Sequence, residues 1–405
     1  MSNILLLTPV YPSPDRIQKG TPVVHYFAKE WVKLGHNVLV CHYPANFPYL
    51  YRLAARPIKQ FLESKLSDYL TIDYIHKDNY LYEGVRVYRI PLKKYIPHRR
   101  YSTRQVKKAV NTTLLACETE DFTPDLMIGH WVNPQIDIMS LLKVHFSVPT
   151  CLVLHGSGSD IAKLYRNKAD DVVANINAFG FRSNTLKHTF EKTYGHVDKY
   201  FMCYSGVPKT FFDGIGENTR SFEKVRSFIF VGMLIQRKFP FETLLSLTNS
   251  EFTDFSLTYI GQGAEGKKIN AYLPTLAELK PKSSVSLLGR IPREKIKQHL
   301  LSSDVFIMVS KNEVFGLVYL EAMATGCIPV AAKNEGFDGI IIDGVNGFLC
   351  EAGNVDELTQ IINRIKKMPC EELKKISQQA IETANQMTDE KMAKNYLNDV
   401  LKLLL

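Results

Sequence analysis

The chain has 405 residues, of which 45 % are hydrophobic and 22 % charged. That balance is ordinary for a soluble globular protein with two or three domains and sizeable cores. No apolar run approaches the roughly 18–20 residues a membrane span needs. The opening MSNILLLTPVYPSPD lacks the basic flank and apolar length of a secretory leader. Seven scattered cysteines without a Cys-x-x-Cys pair predict reduced thiols in a cytoplasmic protein, with no zinc site. The net charge of +9 is unevenly placed: residues 51–108 hold 14 basic against 5 acidic side chains, the same +9. One segment thus carries the whole imbalance, which predicts a local anionic partner.

In chain order, NILLLTPV is a short apolar run and predicts a buried parallel strand. TPVVHYFAKEWVKLG has helical spacing, with Val24, Phe27, Trp31 and Leu34 on one face and Gly35 as its C-cap. HNVLVCHY is the next strand. Buried-strand runs return at PDLMIGH (124–130), VPTCLVLHG (148–156), RSFIFVG (226–232), FSLTYIG (255–261), SVSLLG (284–289), SDVFIMVS (303–310) and CIPVAA (327–332). Strands alternating with helical patterns predict doubly wound α/β sheets. The strands form two sets, separated by the turn-rich SGVPKTFFDGIGENTR. The expectation is two Rossmann-like domains facing a deep cleft at the carboxyl ends of both sheets. Residues 1–205 form the first and 206–385 the second, with a C-terminal helix at 386–405 packing back on the first.

NEVFGLVYLEAMATGCIPV (312–330) places two carboxylates, Glu313 and Glu321, in a stretch that otherwise reads as core. Glu313 falls in a strand-to-helix turn at the carboxyl edge of the sheet. The amides of Phe315, Gly316 and Leu317 fall at the start of a helix that Gly326 ends. Free amides and the helix dipole there suit a phosphate, and Gly316 permits close backbone approach. Glu321, about one turn further in, suits a vicinal diol such as a ribose. Taken alone, a solvated loop glutamate and a helix-surface glutamate explain the pair as well.

The stretch from Ser310 to Gly347 resembles the donor-binding segment of retaining nucleotide-sugar glycosyltransferases of the GT-B fold, family four. Their E-x7-E motif corresponds to Glu313 and Glu321, with EAMATGCIPV and DGVNGFL beside it. The resemblance extends over essentially the whole chain. SGVPKTFF resembles an interdomain segment. FVGMLIQRKF resembles the loop whose basic pair grips a diphosphate: Lys238 matches the family lysine. Met233 stands where arginine is frequent, with Arg237 as its replacement. YIGQGAEG and LLGRIPREKI resemble loops that approach the base, offering Gly263 and Arg290. Gly339 stands where a glutamate is common. PDRIQKGTPVVHYF resembles the glycine loop over the phosphates, in which Gly20 alone matches. VLHGSGSDI resembles the family's His-Gly stretch and supplies His155 at a strand end.

The resemblance implies a retaining transferase that moves a sugar from a nucleoside-diphosphate sugar, UDP-sugar favoured, to a hydroxyl of a glycan or lipid-linked acceptor. No metal or other cofactor is implied, because basic residues and the helix dipole hold the leaving diphosphate. Glu313 and His155 are the catalytic candidates. Glu321, Arg237, Lys238, Gly20, Phe315, Gly316, Leu317, Gly263 and Arg290 are the donor-binding candidates. His130, Trp131 and Asp160 are acceptor candidates, against packed strand-end aromatics for the first two and a helix N-cap for Asp160. A core histidine is the competing explanation of His155. Alternatives are a non-catalytic GT-B module binding a sugar nucleotide or glycan, or a GT-B epimerase or phosphorylase. A nucleic-acid binder has no supporting motif. YRLAARPIKQFLESKLSDYL and LKKYIPHRRYSTRQVKKAV interleave basic residues with aromatics and aliphatics. This predicts docking of residues 51–108 on an anionic bilayer, at the inner face of the cell membrane. The pathway expected is bacterial surface polysaccharide or glycoconjugate synthesis.

Overall fold

The structure, a computed structural model, describes residues 1–16, 21–49, 74–96, 98–156, 158–214 and 221–404. The chain divides into two compact units. The first comprises Met1–Arg182, Leu186–Cys203 and Met392–Leu405; the second comprises Ser183–Thr185 and Tyr204–Lys391. Among the described residues no helix is long and apolar enough to cross a membrane.

The strands of the first unit are β1 (Asn3–Thr8), β2 (Asn37–His42), β3 (Ala45–Asn46), β4 (Asp78–Tyr82), β5 (Val85–Arg89), β6 (Leu92–Lys93), β7 (Leu126–His130), β8 (Thr150–Leu154), β9 (Ala178–Phe181) and β10 (Tyr200–Met202). Its main sheet has the order β10-β9-β8-β7-β1-β2-β5-β4, and β3 pairs separately with β6. All main-sheet pairs are parallel except β4 with β5. The central strands β1, β7 and β8 are buried at nearly every position, as expected of strands covered on both faces. The helix Val23–Lys33 buries Val24, Phe27 and Trp31. Leu34, expected on the same face, is the exposed C-cap, since Gly35 at φ 87° turns the chain away. The β4–β5 hairpin turns at Glu83 and Gly84, both at positive φ. Its outer strand is largely exposed and polar, which is why hydrophobic runs did not reveal it.

The second unit contains β11 (Ser227–Val231), β12 (Ser256–Ile260), β13 (Ser284–Leu287), β14 (Val305–Ile307), β15 (Ile328–Ala332) and β16 (Phe348–Cys350). They form one parallel sheet in the order β13-β12-β11-β14-β15-β16. Strand order reverses between β1 and β7 in the first unit and between β11 and β14 in the second. In open α/β sheets the crevice beyond the carboxyl ends at such a reversal is where ligands bind. The loops leaving β11 and β14 carry Arg237, Lys238 and Glu313; the segments leaving β7 and β8 carry Trp131 and His155.

Candidate active site

In the second unit the loop after β11 ends in a short 3-10 turn, Gln236–Lys238. Lys238 reaches back across the sheet edge, its Nζ 3.2 Å from Glu313 Oε2 and 3.6 Å from Met308 Sδ. Gly232 makes room for it: a Cβ there would sit 3.4 Å from Lys238 Nζ and 3.3 Å from Met308 Sδ. Arg237 Nη1 lies 3.8 Å from the same Glu313 oxygen and donates to the Lys311 carbonyl at 3.4 Å. The Lys311 amide donates in return to the Arg237 carbonyl at 2.7 Å. The two loops are therefore tied together beside the strand-order reversal.

Glu313 is held from three sides. Ser310 Oγ donates to its carboxylate at 3.1 Å, and its own amide donates to Glu335 Oε2 at 2.8 Å. Gly336 lies against the backbone of 313–315 so closely that a Cβ would meet Glu313 O at 2.5 Å. Phe315 is buried, packed between Tyr204 and Phe337. Gly316, at φ 80°, starts the helix Leu317–Ala324. A Cβ there would strike the Tyr319 ring at 2.5 Å, so the turn requires glycine. The Tyr319 amide donates to the Gly316 carbonyl at 3.0 Å, and the two amides before it start the helix with no carbonyl one turn earlier. With Lys238 and Arg237 beside them, these amides offer an anion its donors, while the Glu313 and Glu335 carboxylates balance the two cations.

Glu321 is buried on the same helix and is ion-paired. Arg293 Nε donates to Glu321 Oε1 at 2.7 Å, and its Nη2 lies 2.6 Å from the same oxygen. Arg293 begins the helix Arg293–Leu301 and lies over the Phe211 ring. It lies in IPREKI, three residues after the candidate Arg290, which is itself exposed. The register of a helix start decides which of two nearby arginines turns inward, and residue type alone carries no such signal. Gly263 has a packing reason to be glycine: a Cβ would lie 2.1 Å from the Leu234 carbonyl oxygen. Gly339 is at φ 86°, a conformation that disfavours the glutamate common at that position. Gly20 lies outside the described residues.

In the first unit His155 follows β8 and is half-buried. Its ring stacks on Trp131, centroids 3.7 Å apart and planes 11° apart. Its Nε2 lies 2.9 Å from His130 Nδ1, and His130 Nε2 lies 3.2 Å from the Tyr396 hydroxyl. His130, an acceptor candidate by sequence, is fully buried and spans these two partners. Its ring is enclosed between these partners and does not face solvent. Burial pushes the His130 pKa down to about 3 and that of His155 well below the ordinary value; the nearby Arg182 charge adds to both. Both rings are neutral near pH 7. Asp160 is exposed in the first turn of Ser159–Tyr165. Gly158, not Asp160, occupies the N-cap.

The basic side chains in the described part of residues 51–108 fall into two groups. Lys94 is buried, donating to the Arg99 carbonyl and lying 4.1 Å from the Tyr101 ring centroid. Arg100 bonds Asp137 at 2.6 Å and covers the Tyr165 ring. Lys94 thus turns inward, against the expectation that it faces an anionic surface, whereas Arg100 stays exposed beside its partners. Lys93, Arg99, Arg104, Lys107 and Lys108 are exposed, as are Tyr95 and Ile96. Residues 50–73 and Pro97 lie outside the described residues.

Comparison with known proteins adds the lineage. Residues 214–383 match the family Glycosyl transferases group 1. The glycosyltransferase MJ1178 of Methanocaldococcus jannaschii is 25 % identical over 76 % of this chain and 81 % of its own. TuaC of Bacillus subtilis, a glycosyltransferase assigned to teichuronic acid biosynthesis, is 22 % identical over 89 % of this chain and 88 % of its own. The solved structure of Anabaena HepE in complex with UDP superposes with a TM-score of 0.65 at 18 % identity, covering 99 % of this chain and 100 % of that one. Residues 214–383, within the second unit, thus carry the sequence of the group 1 glycosyl transferases, and the chain has the GT-B fold over nearly its whole length.

Proposed function

We propose that the protein is a retaining glycosyltransferase that moves a sugar from a UDP-sugar to a hydroxyl of a glycan or lipid-linked acceptor. The observation that carries this reading is the convergence of Lys238, Arg237 and the Leu317–Ala324 helix start on Glu313 at the reversal of strand order. The two cations and the helix amides hold the leaving diphosphate, so negative charge developing on it meets preorganised donors. These groups do the work that a metal ion does elsewhere. Glu313 contacts the transferred sugar and steadies a cationic anomeric centre. Glu321 accepts from the ribose through the oxygen that Arg293 leaves available. His155 orients the sugar. The likeness to HepE, solved with UDP, supports uridine as the base.

TuaC supports a place in bacterial surface polysaccharide or glycoconjugate synthesis. On this reading Lys93, Arg99, Lys107 and Lys108, with Tyr95 and Ile96 beside the first two, dock the first unit on an anionic membrane that carries the acceptor.

UDP-, GDP- and ADP-sugars screened by thermal shift test the donor class; ligand at a hundred times its Kd adds about 2.7 kcal/mol. With the donor so found, Lys238→Ala lowers turnover by about 10²–10³-fold, and the product anomer read by NMR matches the donor's. Glu321→Ala weakens UDP alone, whereas Glu313→Ala spares UDP binding and cuts turnover. Absence of any nucleotide-sugar shift, or an inverted anomer, overturns the reading.

A further inference from the structure

A buried chain of three polar groups reaches from the C-terminal helix to His155. Tyr396, on the segment Met392–Leu404 that belongs to the first unit, is fully buried. Its ring packs among Phe27, Trp31 and Phe201, and Trp31 Nε1 donates to the neighbouring Ala393 carbonyl at 2.8 Å. Among the described residues the Tyr396 hydroxyl has one hydrogen-bond partner, His130 Nε2. A buried hydroxyl proton with a single neighbouring acceptor donates to it, because a stranded donor costs about 1–3 kcal/mol. His130 Nε2 is therefore the bare nitrogen, and the ring's proton sits on Nδ1. That N–H points at His155 Nε2, 2.9 Å away. His155 Nε2 must then accept, which leaves the His155 proton on Nδ1. Trp131 clamps the ring plane from one face.

We infer that Tyr396, acting through His130, is a positioning residue that fixes His155 as the Nδ1–H tautomer, so that His155 meets its ligand as a hydrogen-bond donor and not as a base. A donor of this kind suits a sugar hydroxyl or another neutral oxygen acceptor. Burial supports the assignment, since neither ring takes a second proton near pH 7. The inference rests on the proposed role of His155 for its catalytic consequence, but the tautomer itself does not depend on that role.

The test is ¹⁵N NMR of the full-length protein labelled at histidine, with the His155 signals assigned by their loss in His155→Asn. The wild type is expected to show a protonated Nδ1 and a bare, hydrogen-bonded Nε2 at residue 155. Tyr396→Phe keeps the aromatic packing and removes the donor. It is expected to populate the Nε2–H form of His155, and to lower kcat by about two- to tenfold, the equivalent of one neutral hydrogen bond, with the donor KM unchanged. A purely structural tyrosine would change the melting temperature without moving the tautomer. Nε2–H at His155 in the wild type overturns the inference without any variant. So does an unchanged tautomer in a folded Tyr396→Phe protein. Absence of turnover with every nucleotide sugar would instead remove the proposed function and leave the tautomer result standing.

Discussion

Replacing Arg293 strands a buried carboxylate, and the size of the penalty follows from the geometry. Two guanidinium nitrogens lie 2.7 and 2.6 Å from one Glu321 oxygen; the Glu321 side chain is 6 % exposed and that of Arg293 22 %. Breaking a fully buried pair by removing one partner costs about 3–5 kcal/mol. Water reaches the arginine side of this pair, which sets Arg293→Ala at the lower end, about 3 kcal/mol. At about 2–4 °C per kcal/mol for a unit of this size, the transition of the second unit drops by about 6–12 °C. If the penalty is the stranded charge, adding Glu321→Gln to Arg293→Ala removes its cause and recovers at least half of the loss. Differential scanning calorimetry of wild type, both single variants and the double variant closes the cycle. A single variant within about 2 °C of wild type, at most about 1 kcal/mol, would mean that water hydrates the carboxylate. A double variant no better than Arg293→Ala would show that the lost packing over Phe211, not charge, is responsible.

Acid should destabilise the protein earlier than carboxylate titration does. Burial holds His42 and His130 at about 3, against an ordinary 6.5. As pH falls between those values the unfolded chain takes up protons that the folded chain refuses. The stability tied to these groups is thus present above pH 6.5 and lost progressively below it. Urea melts should lose free energy from about pH 6.5 downward, less steeply in His42→Asn; a flat profile to pH 5 would contradict the burial argument. Wild-type protein should co-sediment with anionic but not neutral vesicles and be released by salt. Changing Lys93, Arg99, Lys107 and Lys108 to Ser should abolish this, at about 1 kcal/mol per basic residue. Wild-type protein that ignores anionic vesicles at low salt refutes membrane docking.

Much of the second unit was legible because local chemistry dictates it. Short apolar runs in the middle of the sheet became buried parallel strands, as at β11, β14 and β15, whereas the edge run β13 stays half exposed. A glutamate before Phe315–Gly316 can only fall in the strand-to-helix turn, since Gly316 must adopt positive φ to start the helix. The weaker elements were not legible. The β4 strand is polar because it is an edge, and β10, at the opposite edge, buries only one of its three residues. What the tertiary structure decided is which polar groups meet across long separations in sequence. Arg293 finds Glu321 across 28 residues, and Tyr396 reaches His130 across 266. Lys94 turns inward while its neighbour Lys93 faces solvent. Sequence by itself determined where carboxylates, histidines and basic residues stand on their own elements, because that depends on backbone periodicity and turn chemistry. Their partners, and hence their charge, tautomer and exposure, were decided only by packing, since desolvation acts on a group according to everything folded around it.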